Sequence, residues 1–107
     1  MKKKVKYVMV MTTVASRKDA DAVAGKVVAN RLAACVQQMP VRSVYRWKGK
    51  VESANEILLT MKTRAGLQAK LISFIKTMHS YDVPEIIAVP IVTGFRGYFD
   101  WIDKVVK

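Results

Sequence analysis

One cysteine, one histidine and three prolines stand in a chain of 107 residues that holds only eight acidic side chains against nineteen Lys and Arg. Each scarcity excludes something. With no second cysteine, Cys35 cannot close an internal disulfide, which fits a reducing compartment. The lone histidine, His79, has no nucleophile placed for a hydrolytic triad, and the loop Gly94 to Gly97 lacks the spacing of a phosphate-binding loop, so an enzyme is not expected. No apolar run approaches the ~20 residues of a membrane-spanning helix. Met1-Lys2-Lys3-Lys4 leads into an alternating segment with no small-residue cleavage site, so the expectation is a soluble, cytoplasmic protein.

What is abundant is positive charge and apolar content. The net charge of +11 favours polyanions over free cations at long range, with Lys2, Lys3, Lys4 and Lys6 at one end and Arg42, Arg46, Lys48 and Lys50 around a turn. Such groups more often form solvated faces than recognition sites. An apolar fraction of 51% suits one globular domain, residues 1–107.

Periodicity gives the order of elements. Val5 to Thr13 alternates as a strand buried on both sides. Ser16-Arg17-Lys18-Asp19 has the form of a helix cap, and Ala20, Val23, Ala24, Val27 and Val28 follow at helical spacing, which predicts a helix to about Arg31. Cys35 to Trp47 is β-rich with an interruption at Pro40, and Ser43, Tyr45 and Trp47 share one of its faces. Lys48-Gly49-Lys50 reads as a turn, and Glu56 to Thr63 as the returning strand of a long hairpin. Leu67, Leu71, Phe74, Ile75 and Met78 mark a second helix, Ile86 to Val92 a fourth strand, and Tyr98, Trp101, Ile102 and Val105 the stripe of a third helix. The order βαββαβ plus a helix is an α+β, ferredoxin-like split βαβ fold, an antiparallel sheet with both main helices on one face. Its hairpin overhangs, and overhanging strands invite pairing with another subunit.

Ionisable and aromatic residues crowd the joint His79-Ser80-Tyr81-Asp82-Val83-Pro84-Glu85 between the second helix and the fourth strand. His79 can cap the helix end, or it can bind a ligand beside Tyr81 and Glu85. Trp47 at the hairpin tip suits an interface, Lys62 can reach a polar pocket or solvent, and Tyr98 and Trp101 suit packing. Cys35 and His79 are reasonable ligands for a soft or borderline ion, yet two ligands do not complete a tetrahedral site.

Five blocks carry a resemblance: Arg31-Leu32-Ala33-Ala34-Cys35-Val36, Val44 to Lys50, Lys62-Thr63, His79 to Ile86, and Tyr98-Phe99-Asp100-Trp101-Ile102. In order and spacing the chain resembles the CutA family of divalent-cation tolerance proteins over nearly its whole length. The resemblance implies a homotrimer built by strand pairing and a role in tolerance of copper and other divalent ions. It implies Cu(II) or another divalent cation at Cys35 and His79, no organic cofactor, and an inter-subunit ligand cleft of Trp47, Lys62, His79, Tyr81 and Glu85. The chain has His79-Ser80-Tyr81-Asp82 where the family usually has His-Pro-Tyr-Glu, and Gln37-Gln38 where it has Asn-Ile. Two other readings share parts of the pattern. An RNA-binding RRM-like module shares the element order, but Glu56 to Lys62 has no aromatic for base stacking, so nucleic acid is not the expected partner. A PII-like signalling trimer would carry a long loop where this chain has Lys48-Gly49-Lys50.

Overall fold

The computed structural model describes residues 4–107, and Lys2 and Lys3 of the N-terminal lysine group lie outside them. The elements follow in the order β1 (Tyr7–Val14), α1 (Arg17–Ala29), β2 (Cys35–Trp47), β3 (Lys50–Arg64), a 3-10 turn (Ala65–Leu67), α2 (Gln68–Met78), β4 (Ile86–Ile91) and α3 (Arg96–Val105). The four strands form one sheet in the order β2-β3-β1-β4, every pair antiparallel. This is the expected ferredoxin-like arrangement. Among the described residues no helix is long and apolar enough to cross a membrane.

Alternation along β1 divides the sheet into two faces. Val8, Val10, Thr12 and Val14 are buried, opposite Thr63, Met61, Leu59 and Ile57 of β3. Ala20, Val23 and Val27 of α1 and Leu71 and Ile75 of α2 close on that face, so both helices cover one side. Ser16 begins α1, its hydroxyl accepting from the Asp19 N–H at 3.1 Å. On the second face Met9 and Met11 are half-buried, and α3 covers only one end. There Tyr7 stacks on Phe99 with ring centroids 4.4 Å apart and donates its hydroxyl to Asp103 at 2.7 Å.

Several boundaries and faces differ from the sequence reading, each for a physical reason. Pro40 does not interrupt β2; it pairs with Ile57 inside a continuous strand, because β2 is an edge and a missing N–H can face outward there. β3 begins at Lys50 rather than Glu56, since a two-residue turn starts the ladder at once. α1 stops at Ala29, with Asn30 as its cap and Arg31 in a left-handed conformation at φ 58°. α3 buries Ile102 and half-buries Phe99 and Val105, whereas Tyr98 and Trp101 stay largely exposed against each other. Its inner stripe is therefore rotated from the expected one.

Length mismatch shapes the molecule. β2 and β3 have 13 and 15 residues, β1 and β4 only 8 and 6. β1 runs out at the pair Val14–Ile57, so residues 41–56 project as a two-stranded arm. Met61, fully buried at the centre of β3, tests the core: Met61→Ala should lower stability by about 3 kcal/mol in denaturant unfolding. A loss below about 1 kcal/mol would remove Met61 from the core.

Candidate functional site

The arm and the loop after α2 enclose a cleft of about 720 Å³. Hairpin register builds one wall. Trp47 pairs with Lys50 across the Lys48–Gly49 turn, which places Tyr45 opposite Glu52, Ser43 opposite Ala54 and Val41 opposite Glu56 on the face away from α1 and α2. Lys48 at φ 51° and Gly49 at φ 78° make this a tight turn of left-handed residues, for which glycine is suited. Thr13 forms the floor, and Tyr81, Asp82, Val83 and Glu85 form the opposing wall.

A chain of hydrogen bonds fixes that wall. The His79 Nε2 lies 2.8 Å from the Thr13 carbonyl, which can only accept, so Nε2 carries the proton. Nδ1 in turn accepts the Tyr81 backbone N–H at 3.2 Å, and the two rings stand 4.7 Å apart. Tyr81 then donates its hydroxyl to Glu56 Oε2 at 2.7 Å. His79 caps α2 through its backbone position, but its ring serves β1 and the loop rather than a helix carbonyl.

Glu56 is the residue the sequence reading passed over. It is only 8% exposed, lines the cleft, and has no cation within ion-pair distance among the described residues. Counting back from a two-residue turn places it opposite Val41, on the same face as Ser43 and Tyr45. Three carboxylates, Glu56, Asp82 and Glu85, line the cleft against a single cation, Arg46, in a chain with eight acidic residues in all. Lys48, whose Nζ stands 5.9 Å from the Trp47 ring centroid, adds a second cation at the rim, while salt screens more distant lysines over about 8 Å.

The expected cleft residues divide within one chain. Trp47, Tyr81 and Glu85 come together at the cleft and His79 stands behind Tyr81. Lys62 does not join them: it pairs with Cys35 and Met9 and reaches the Gln37 side chain. Cys35 and His79 are likewise apart. Met9, level with Cys35, and Thr13, which holds His79, are four residues apart on β1, roughly 13 Å at about 3.3 Å per residue. Among the described residues no three His, Cys, Asp or Glu side chains are close enough to hold a metal ion. Cys35 instead neighbours Tyr98, whose hydroxyl is raised above its ordinary range by burial first and then by the thiol.

A family model described as CutA1 divalent ion tolerance protein matches residues 8–105. The chain belongs to the CutA1 family. The Archaeoglobus fulgidus divalent-cation tolerance protein CutA is 39% identical over 89% of this chain and 93% of its own length. The Arabidopsis thaliana chloroplastic protein CutA is 43% identical over 95% of this chain but 57% of its own length, so the chain spans little more than half of that relative. A solved Archaeoglobus structure, described as a periplasmic divalent cation tolerance protein, superposes with a TM-score of 0.92 at 37% identity, covering 94% of this chain and 99% of the other.

Burial first and the Glu56 bond second raise the Tyr81 hydroxyl above the usual phenol range. The proton is held more tightly in the folded chain, so this contribution is complete below a pH of about 10 and is lost as pH climbs through the raised value. Tyr81→Phe should cost on the order of 1 kcal/mol and remove one late-ionising phenol from the phenolate absorbance titration. Superposable titration curves for the two proteins would show that Tyr81 ionises as an ordinary tyrosine.

Proposed function

We propose that this CutA1-family chain acts in divalent-cation tolerance as a non-enzymatic homotrimer, binding copper, another divalent cation or a small ligand in a cleft completed between subunits. The observation that carries the reading is the half-built cleft: a buried, uncompensated Glu56 beneath an arm that stands clear of its own sheet. The arm exposes Val44 (69%) and Val51 (67%), and apolar Met39 and Ile87 are exposed on the face that α3 leaves open. Surfaces of this kind are covered in assemblies. A neighbour would also supply the cleft with Lys62, which its own chain holds at the far end of the sheet.

Copper binding at Cys35 and His79 follows the same logic. One chain separates them, so a shared ion requires Cys35 of one subunit and His79 of another, and His79 must release one of its two hydrogen bonds to coordinate. The family names speak of tolerance, which suits a binding protein. Cytoplasmic residence is proposed on the free thiol alone, since relatives are described as periplasmic or chloroplastic. An RRM-like reading gains no support, because β3 offers no aromatic to stack a base. The two-residue turn likewise leaves no long loop for PII-like signalling.

Light scattering should give about three times the 12.0 kDa chain mass. Cu(II) titration should weaken about tenfold or more in both Cys35→Ala and His79→Ala. A stable monomer at micromolar concentration would remove the shared cleft, and unchanged Cu(II) affinity in both variants would remove the two ligands.

A further inference from the structure

We propose that a groove at the other end of the sheet, away from the acidic cleft, binds the phosphate groups of a compact, multiply charged anion. The groove is about 590 Å³ and is lined by Lys4, Lys6, Arg64 and Arg96, with a second groove of about 490 Å³ adjoining it and sharing Lys4, Lys6 and Arg96. Asp103 is the one carboxylate lining either groove, and it already accepts the Tyr7 hydroxyl at 2.7 Å. Lys4, Lys6 and Arg64 have no carboxylate within ion-pair distance among the described residues. Arg96 lies 3.5 Å from Asp100, but both side chains are mostly in solvent, where such a pair holds weakly.

Four cations around one concavity repel each other, and an anion among them relieves that repulsion while the low-dielectric walls focus the field. Backbone geometry adds to this. The 3-10 turn that opens α2 lines the groove through Ala65, Gly66 and Leu67, and α3 begins at Arg96 on its rim. Neither start has a side-chain cap or an acidic residue in its first turn, unlike α1 with Ser16 and Asp19. The α3 start therefore remains available to an anion, whereas the Ala65 N–H that opens the 3-10 turn is already given to the Lys6 carbonyl at 2.8 Å. A Cβ placed on Gly66 would meet nothing within 4 Å, so the backbone there is open to a ligand.

Phosphate suits the donor set better than a carboxylate. Two guanidinium forks and two ammonium groups can share several tetrahedrally arranged oxygens, and their excess of positive charge over Asp103 suits a multiply charged anion. A polymer is disfavoured because the basic surface extends along the sheet only as far as Lys62: Met9, Met11, Ile87 and Val89 occupy the rest of the open face beyond it. Within one chain the groove and the cleft share no lining residue.

Calorimetric titration of the full chain with inorganic triphosphate tests the proposal. Arg64→Ala combined with Arg96→Ala should weaken binding by about tenfold or more. Lys18→Ala combined with Lys76→Ala removes the same charge from the opposite ends of α1 and α2 and should change affinity by less than about twofold. Equal losses in the two double variants, or no saturable binding by the unaltered chain, would overturn the proposal. Tight binding of a short single-stranded RNA lost in the arginine variant, with triphosphate inert, would overturn it in favour of a polymer. Should the arginine variant fail to fold, amide shifts of the unaltered chain decide: changes centred on Lys6, Arg64 to Leu67 and Arg96 support the site, and changes elsewhere overturn it.

Discussion

A two-residue turn at Lys48–Gly49 sets the register of the long hairpin, and through it the position of every side chain that the arm contributes to the cleft. Strand side chains alternate strictly, so a slip of one residue would carry Tyr45, Trp47 and Glu56 to the opposite face. Along residues 41–56 no pairing with β1 opposes that slip, and only the Cys35–Pro40 part of β2, with Val36 on the core, resists it. Gly49 therefore shapes the cleft by way of geometry. Its left-handed backbone closes the turn in the number of residues that leaves Glu56 under the loop.

The opposing wall is held by a different means. Proline, short length and a relay of hydrogen bonds from Thr13 through His79 and Tyr81 to Glu56 tie the joint to the sheet. The single histidine thus works as an orienting group in the free chain, with both ring nitrogens engaged. Charge is distributed between two poles. Three carboxylates gather in the cleft between arm and loop, although the arm also carries Arg42, Arg46, Lys48 and Lys50, while Lys4, Lys6, Arg64 and Arg96 gather where β1 begins and β3 ends. A net charge of +11 describes neither pole.

Much of this was legible in the sequence, and the omissions have common causes. Helical and strand periodicity located α1, α2 and β1 because each buries one regular face, as in Val8, Val10, Thr12 and Val14. Element order gave the fold, and the crowding of ionisable and aromatic residues from His79 to Glu85 gave the joint. Pro40 misled because an edge strand tolerates what a central strand does not, and edge position is a property of strand order rather than of local sequence. Tyr98 and Trp101 misled because α3 packs across the end of the sheet, where Ile102, Phe99 and Val105 meet Tyr7. β3 pairing places Lys62, expected in a cleft between subunits, and Cys35, expected beside His79, at the far end of the sheet within one chain, while Glu56 hid in a run that reads as apolar.

β2 remains an open edge for thirteen residues, a length that would template the addition of strand upon strand. Pro40, near its middle, withholds one amide from any newcomer. An incoming strand could dock along Cys35 to Met39 or along Val41 to Trp47, but a single ladder over the whole edge would be broken between them. That break permits closed, finite association and works against fibril-like growth.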